Sequence, residues 1–412
     1  MFAVVRALKH RNYRLFFSGQ FISLIGTWMQ NVAESWLVYR LANSTVLLGL
    51  VGFAGQIPVF FLASVGGAAA DRFNRRGILI ATQASMMTLA LILATLTLSG
   101  VVQVWHVMIL ASLLGVTNAF DIPARQSFVV DMVGREDLTN AIALNSSLFN
   151  SARIVGPAVA GVLVAAIGEG WCFFANGVSY IAVIAGLLLM RVPPRRIEAP
   201  TGSAIAHILE GFRYVWRTRP IRAVLVQLGI ISLMGMPYAV LMPVFAQNIL
   251  HSGPRGLGIL MGCTGIGALA GGLMLAMRRG LHGLGRWIAY ATVGFGAGLI
   301  LFSFSRIYWL SALLLIPAGF SFIVQMAASN TLVQAMVPDA LRGRVMAVYS
   351  MMFMGMAPLG ALGAGIAAAR LGAPAAVMIG GVCCIVSGLS FRVRLKGLSA
   401  DARELILAQE RM

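Results

Sequence analysis

ARQSFVVDMVGREDLTNAIALNSSLFNSARIVGPAVAGVLVAAIG, residues 124–168, lies without gaps over ASNTLVQAMVPDALRGRVMAVYSMMFMGMAPLGALGAGIAAARLG, residues 328–372. The offset of 204 holds over 45 residues and pairs Val129 with Val333, Met132 with Met336, Phe149 with Phe353, Gly156 with Gly360, Gly161 with Gly365 and Gly168 with Gly372. Alanine and glycine coincide easily in apolar helices, so one pair says little. The unbroken register marks an internal repeat and sets the architecture to be sought in the rest of the chain.

Around the repeat the chain is 59% hydrophobic and 11% charged, against about 45–50% and 25% in an ordinary soluble domain. A water-surrounded core cannot hide that excess. About 20 helical residues cross the hydrocarbon of a bilayer, and such stretches recur at 15–39, 45–69, 77–99, 104–122, 138–167, 171–190, 223–249, 256–277, 287–304, 307–327, 345–369 and 373–391. They predict twelve spans in an all-α membrane protein, since a barrel would show short alternating segments instead. The longest polar interval, RVPPRRIEAPTGSAIAHILEGFRYVWRTRPIR at 191–222, divides them six and six. The expected organisation is a bundle over 1–190, a connector over 191–222 with a short amphipathic helix at HILEGFRYVW, a second bundle over 223–391 and a tail over 392–412. Two matched six-span halves place a substrate site between them near mid-membrane and imply alternating access.

The formal net charge of +18 raises the possibility of a nucleic-acid partner, but its placement gives another reading. Of the 31 Lys and Arg, only Arg40, Arg255, Arg306 and Arg370 fall opposite the N-terminus and Arg153 falls inside a span. That is a positive-inside bias, which puts both termini in the cytoplasm and excludes nucleic acid as a partner. MFAVVRALKHRNYR is basic, but the span after it is too long and too polar for a cleavable signal. The four cysteines have neither metal-site nor redox spacing and read as packing residues.

GGAAADRFNRRG, residues 66–77, interrupts this apolar context between the second and third spans. Gly67 permits close helix approach, Asp71 can accept from a helix N-terminus, and Arg72, Arg75 and Arg76 can bridge to an acidic partner. Read as Gly67-x-x-x-Asp71-Arg72-x-Asn74-Arg75-Arg76, the stretch resembles the signature turn of the major facilitator superfamily, with Asn74 where glycine is commoner. The resemblance covers the whole chain in span count, connector position and repeat. It implies a conformational latch, with Asp121 expected to answer the arginines and the start of the eleventh span, near Arg344, expected to answer Asp71.

Residues 118–157, NAFDIPARQSFVVDMVGREDLTNAIALNSSLFNSARIVGP, resemble the branch of that superfamily holding enterobactin-type siderophore exporters and macrolide efflux pumps. Gly156-Pro157-x-x-x-Gly161 resembles the helix-bending motif of proton-coupled antiporters, where glycine and proline let the fifth span bend and pack closely. The arginine that many antiporters carry in the fourth span is absent from HVMILASLLGVTNAF.

Within the spans the charged residues are Glu34 and Arg153. Each costs about 2.5–3.5 kcal/mol or more in hydrocarbon, so each should face protein or water. On the first helix Gln20, Ser23, Thr27, Gln30, Asn31 and Glu34 fall on one face. On the seventh Gln227, Met234 and Tyr238 form a narrower stripe. Gln20, Thr27, Gln30, Asn31, Gln227, Met234 and Tyr238 are therefore candidates for a substrate cavity, and Glu34, with Arg153, for proton coupling. For Glu34 the competing reading is a hydrated residue paired with Arg40; for Arg153 it is a structural link between helices.

No nucleophile sits beside a base, the five histidines are scattered, and no phosphate-binding loop occurs. Neither an enzyme nor an ATP-driven pump is expected, and no cofactor or metal. The sequence predicts a monomeric secondary transporter of the bacterial cytoplasmic membrane that exports an amphipathic or hydrophobic small molecule, of drug or siderophore type, against protons. Import of a small nutrient, or a membrane sensor or scaffold using the tail as its contact surface, stay open as alternatives.

Overall fold

The computed structural model describes residues 6–134, 136–191, 204–278 and 280–410. Among the described residues there is no strand. A 3-10 turn at Arg6–Lys9 precedes α1 (Arg11–Ala42), α2 (Thr45–Arg72), α3 (Arg75–Leu98), α4 (Val104–Val133), α5 (Leu138–Ile167), α6 (Glu169–Leu189) and α7 (Ala204–Arg217). There follow α8 (Arg219–Ile230), α9 (Tyr238–Val244), α10 (Gly253–Ala276), α11 (Leu284–Phe304), α12 (Tyr308–Met336), α13 (Asp339–Met354), α14 (Met356–Leu371) and α15 (Ala373–Glu410). π-helical turns at Ile231–Gly235 and Phe245–Ile249 make α8 and α9 parts of one rod, Arg219–Ile249, and α13 and α14 likewise share the rod Leu341–Leu371.

Eleven of these rods are long and apolar enough to cross a bilayer. The remaining long helix, α1, has 32 residues and owes its lower apolarity to the polar stripe from Gln20 to Glu34. Several helices outrun the spans read from hydropathy: α4 continues to Val133, α12 to Met336 and α15 to Glu410. Hydropathy marks the thickness of the hydrocarbon and not the end of a helix, and Pro58, Pro123, Pro157 and Pro317 lie inside continuous helices, as membrane helices allow.

The chain forms two compact units, one of Met1–Asn43, Ala54–Thr201 and Ser252–Gly262, the other of Ser44–Phe53, Gly202–His251 and Cys263–Met412. Contact thus assigns the first residues of α2 to the second unit and the first residues of α10 to the first, where hydropathy divides the chain once at its connector. Of that connector, 192–203 lie outside the described residues; Ala204–Arg217 form α7, and the seventh rod begins at Arg219 instead of 223. The tail is no separate element. It continues α15, and Leu398, Ala402, Leu405 and Ile406 pack on the apolar core of the second unit around Val333, Met336 and Val345. The contact surface required by the scaffold alternative is turned inward there.

Each unit repeats the other's packing at the sequence offset. Val129 and Met132 belong to the core of the first unit, Val333 and Met336 to that of the second. Gly115 of α4 receives the Gly55 carbonyl of α2, and Gly319 of α12 receives that of Thr264 in α10. Gly156 lies against Ile25, Trp28 and Met29, Gly360 against Leu233 and Pro237, and a methyl at either would overlap those atoms. Gly168 and Gly372 end their helices at φ of 89° and 87°, a conformation open to glycine. The repeat is therefore a repeat of close helix crossings, which need small residues at fixed places.

In the first unit the 3-10 turn is clamped to the start of α5. Asp137, 3% exposed at its side chain, takes Arg6 Nε at 2.5 Å, His10 Nε2 at 2.7 Å and Lys9 Nζ at 2.9 Å, while the Ala7 amide donates to Asn140 Oδ1 at 2.8 Å. His10 first, then Lys9 and Arg6, hold the Asp137 carboxyl down from 3.8 to about 2. A lowered carboxylate stabilises the fold above its unfolded value and loses that contribution as pH falls through the folded one. Thermal unfolding of the detergent-solubilised protein should show a destabilisation between about pH 4 and pH 2 that is missing from Asp137→Asn; an identical acid limb in the variant would contradict the clamp.

Candidate functional site: a polar column in the first unit

Part of the polar stripe of α1 faces into its own unit. Gln20, Ser23 and Gln30 are buried. Gln20 Oε1 accepts from Arg125 of α4 at 3.3 Å, and Gln30 Oε1 accepts from Asn176 Nδ2 of α6 at 2.7 Å. Thr27 donates to the Ser23 carbonyl at 2.9 Å and, with Asn176, meets the Tyr180 hydroxyl. Gly26 makes room for this approach, since a methyl there would stand 2.5 Å from Asn176 Oδ1. Gln20 and Gln30, expected at a substrate cavity, are here bonded to neighbouring helices, as a primary amide in a medium without water finds its partners there. Gln227 does the same in the second unit, accepting from Ser387 Oγ at 2.7 Å. Asn31 is exposed, as is Met234 in the first π-helical turn; Tyr238 stands edge-on to Phe295 with centroids 6.0 Å apart.

Glu34 is half-buried and bonded to Gln30 one turn earlier on α1. An ionised carboxylate only accepts, so Gln30 gives its amino group to Glu34 and its oxygen to Asn176. Arg40 is not the partner of Glu34. Its guanidinium forms a forked pair with Glu169 at the start of α6, Nε to Oε1 at 2.8 Å and Nη2 to Oε2 at 3.3 Å. Arg153 is half-buried on α5, one turn before Gly156 and Pro157. Gly161 further along lies against Pro254, Arg255 and Gly258 of the first unit's α10 segment, a methyl there standing 3.1 Å from the nearest atoms.

At the other end of the column sits a pair that the spacing of the 66–77 turn did not suggest. Asp121 is fully buried. Its Oδ1 accepts from Thr82 and Gln83 of α3 at 2.9 Å each, and Arg125 Nη2 lies 3.1 Å from Oδ2. Asp121 thus pairs with Arg125 on its own helix and not with the arginines of the 66–77 turn. Hydropathy ends the fourth span at 122 and so leaves Arg125 outside the in-span charges. The i, i+4 spacing of Asp121 and Arg125 is the signal that could have found the pair. The repeat offset carries these positions to Gln325 and Ser329, which form the same bond without charge, Nε2 to Oγ at 3.2 Å.

In the turn itself, Arg75 Nη1 reaches Asp131 Oδ2 of α4 at 3.0 Å and the Ser127 carbonyl at 3.0 Å, and its Nη2 lies 3.6 Å from Asp71. Arg76 caps the end of α6 by donating to the carbonyls of Leu187 at 2.7 Å and Leu188 at 2.8 Å. Arg72 is exposed. Asn74 caps α3: its Oδ1 accepts from the amides of Arg76 at 3.0 Å and Gly77 at 3.3 Å, which accounts for asparagine where glycine is commoner. One further expectation is corrected. A methyl on Gly67 would have nothing within 4 Å, and it is Gly66 that lies on the Ala119 carbonyl of α4. Arg344, at the start of the eleventh span, holds Glu210 of α7 within the second unit.

Residues 3–409 match the family model described as transmembrane secretion effector. The chain belongs to this family of major facilitator transporters. It is 27% identical over 354 residues to a staphyloferrin A transporter of Staphylococcus aureus, covering 85% of this chain and 87% of that protein. It is 27% identical over 352 residues to a multidrug efflux pump, Tap, of Mycolicibacterium fortuitum, with coverage of 82% and 85%. To an enterobactin exporter, EntS, of Citrobacter koseri it is 24% identical over 361 residues, with 86% of each covered. Among solved structures, a nucleoside transporter, NupG, superposes with a TM-score of 0.75 at 14% identity, covering 93% of this chain and 99% of that one. The membership makes this a multi-pass membrane transporter whose relatives export siderophores and drugs.

Proposed function

We propose that this transporter is a proton-driven exporter of an amphipathic or hydrophobic small molecule of siderophore or drug type. It works by alternating access as a monomer in the bacterial cytoplasmic membrane, with both termini cytoplasmic. The observation that carries proton coupling is Glu34: a half-buried carboxylate on a membrane helix, bonded to the amide Gln30 while the nearby Arg40 is committed to Glu169. An ionisable group so placed can hold a proton in one state of the transporter and release it in another. Arg153 is assigned to the same coupling from the adjoining face of α5. Substrate contact is assigned to Asn31 and Thr27 on α1, to Met234 in the first π-helical turn and to Tyr238 at the start of α9. The Gly156, Pro157 and Gly161 motif and the named relatives support export, and Asp71, Arg75 and Asp131 form the latch.

The test separates exchange from energised transport in proteoliposomes, with ethidium and staphyloferrin A as probes. Glu34→Gln should retain probe exchange across the membrane without a gradient and lose uptake driven by a proton gradient. Gradient-driven uptake equal to the unaltered protein would remove Glu34 from the mechanism.

A further inference from the structure

The connector helix α7 carries a surface that the transport reading leaves unused. Gly211 and Val215 face inward. A methyl on Gly211 would stand 2.6 Å from the Arg344 carbonyl of α13, and Glu210 neutralises the Arg344 guanidinium. On the opposite side Leu209 and Trp216, one heptad apart, are 62% and 69% exposed, flanked by exposed Arg213, Arg217 and Arg219. Arg222 stacks its guanidinium over the Trp216 ring, 5.5 Å from the centroid, and donates to the Trp216 carbonyl at 2.9 Å.

The position of this face fixes what can cover it. α7 ends at Arg217 and the rod that crosses the bilayer starts at Arg219, so the last turn of α7 lies at the membrane surface. A helix there, with leucine and tryptophan on one stripe and arginines beside it, matches a headgroup layer: the apolar side chains enter the acyl boundary while the guanidinium groups meet phosphate. With Glu210 already paired, the arginines face outward with their charge uncompensated from within α7, and an anionic headgroup supplies what is missing.

We infer that the outer face of α7, with the first turn of α8, is a binding surface for anionic phospholipid. Through Gly211 and the Glu210–Arg344 pair, lipid on that face steadies α13, the first part of the rod Leu341–Leu371. Neutral lipid satisfies Leu209 and Trp216 but leaves the arginines without a partner.

Hydrogen exchange on the full-length protein in nanodiscs tests this, comparing phosphatidylcholine alone with a mixture containing phosphatidylglycerol. Both leaflets then carry the same lipid, so the result does not depend on the orientation or the proton coupling proposed above. Residues 204–222 and the start of α13 should exchange more slowly when phosphatidylglycerol is present. Replacing the three arginines together, Arg213→Gln, Arg217→Gln and Arg219→Gln, should remove that slowing. Each surface arginine near anionic lipid is worth roughly fivefold, so the combined preference falls by up to about 100-fold. Trp216→Ser, which keeps the charges, should speed exchange in both lipids and retain the phosphatidylglycerol effect. Equal exchange in the two lipids, or a phosphatidylglycerol effect that survives loss of the arginines, would overturn the inference. So would equal protection from inorganic phosphate in neutral nanodiscs, which would make the surface a site for free anions.

Discussion

Arg125→Ser is expected to cost the first unit about 3–5 kcal/mol, because it leaves the Asp121 carboxylate buried with only Thr82 and Gln83 for company. Asp121→Gln alone leaves the Arg125 guanidinium, whose side chain is 29% exposed, with the neutral Gln20, and should cost less because water reaches it. The two changes together should recover most of the loss. They install the pair that the second unit already uses at the same repeat positions, Gln325 and Ser329, and a buried ion pair replaced as a whole is often neutral or better. Thermal midpoints of the four proteins in one detergent form a double-mutant cycle. A double variant at least as unstable as the sum of the singles would show that the charges are needed for the fold. Singles indistinguishable from the parent would show that the pair is not buried.

Two adjacent glycines should respond with opposite signs. At Gly66 a methyl would overlap the Ala119 carbonyl oxygen of α4, a backbone atom that cannot swing aside. Gly66→Ala should therefore cost about 1–3 kcal/mol or more, as overpacking does. At Gly67 nothing lies within 4 Å. Gly67→Ala removes unfolded-state freedom from a helix interior and should stabilise by about 0.5–1 kcal/mol. The same thermal measurement checks both, and a larger loss at Gly67 than at Gly66 would put the α2–α4 crossing in the wrong register.

The contrast shows what the sequence could and could not convey. Class, repeat and span count were legible because lipid imposes length and apolarity on every crossing helix, and because close crossings fix glycines such as Gly156 and Gly360 in register. Gly66 and Gly67 are indistinguishable in the sequence, since which of two neighbours faces α4 depends on helix rotation. The stripe of α1 was legible as polar, but a stripe does not say whether it meets water or another helix. Asn176 and Tyr180, which meet it, stand in the apolar run FFANGVSY and gave no signal of their own. Asp131 and Arg125 were hidden for a third reason: α4 continues beyond the hydrocarbon, so charges on a continuous helix looked like charges on a loop. The clamp on Asp137 joins Arg6, Lys9 and His10 across more than a hundred residues, a closure that only folding reveals.

The central claim, export driven by proton entry, is tested most directly in everted membrane vesicles whose lumen is acidified. Vesicles containing this transporter should accumulate ethidium or staphyloferrin A above the level of vesicles lacking it, and a protonophore should release the accumulated probe. Accumulation that survives the protonophore, or neither probe entering beyond the control level, would contradict the account.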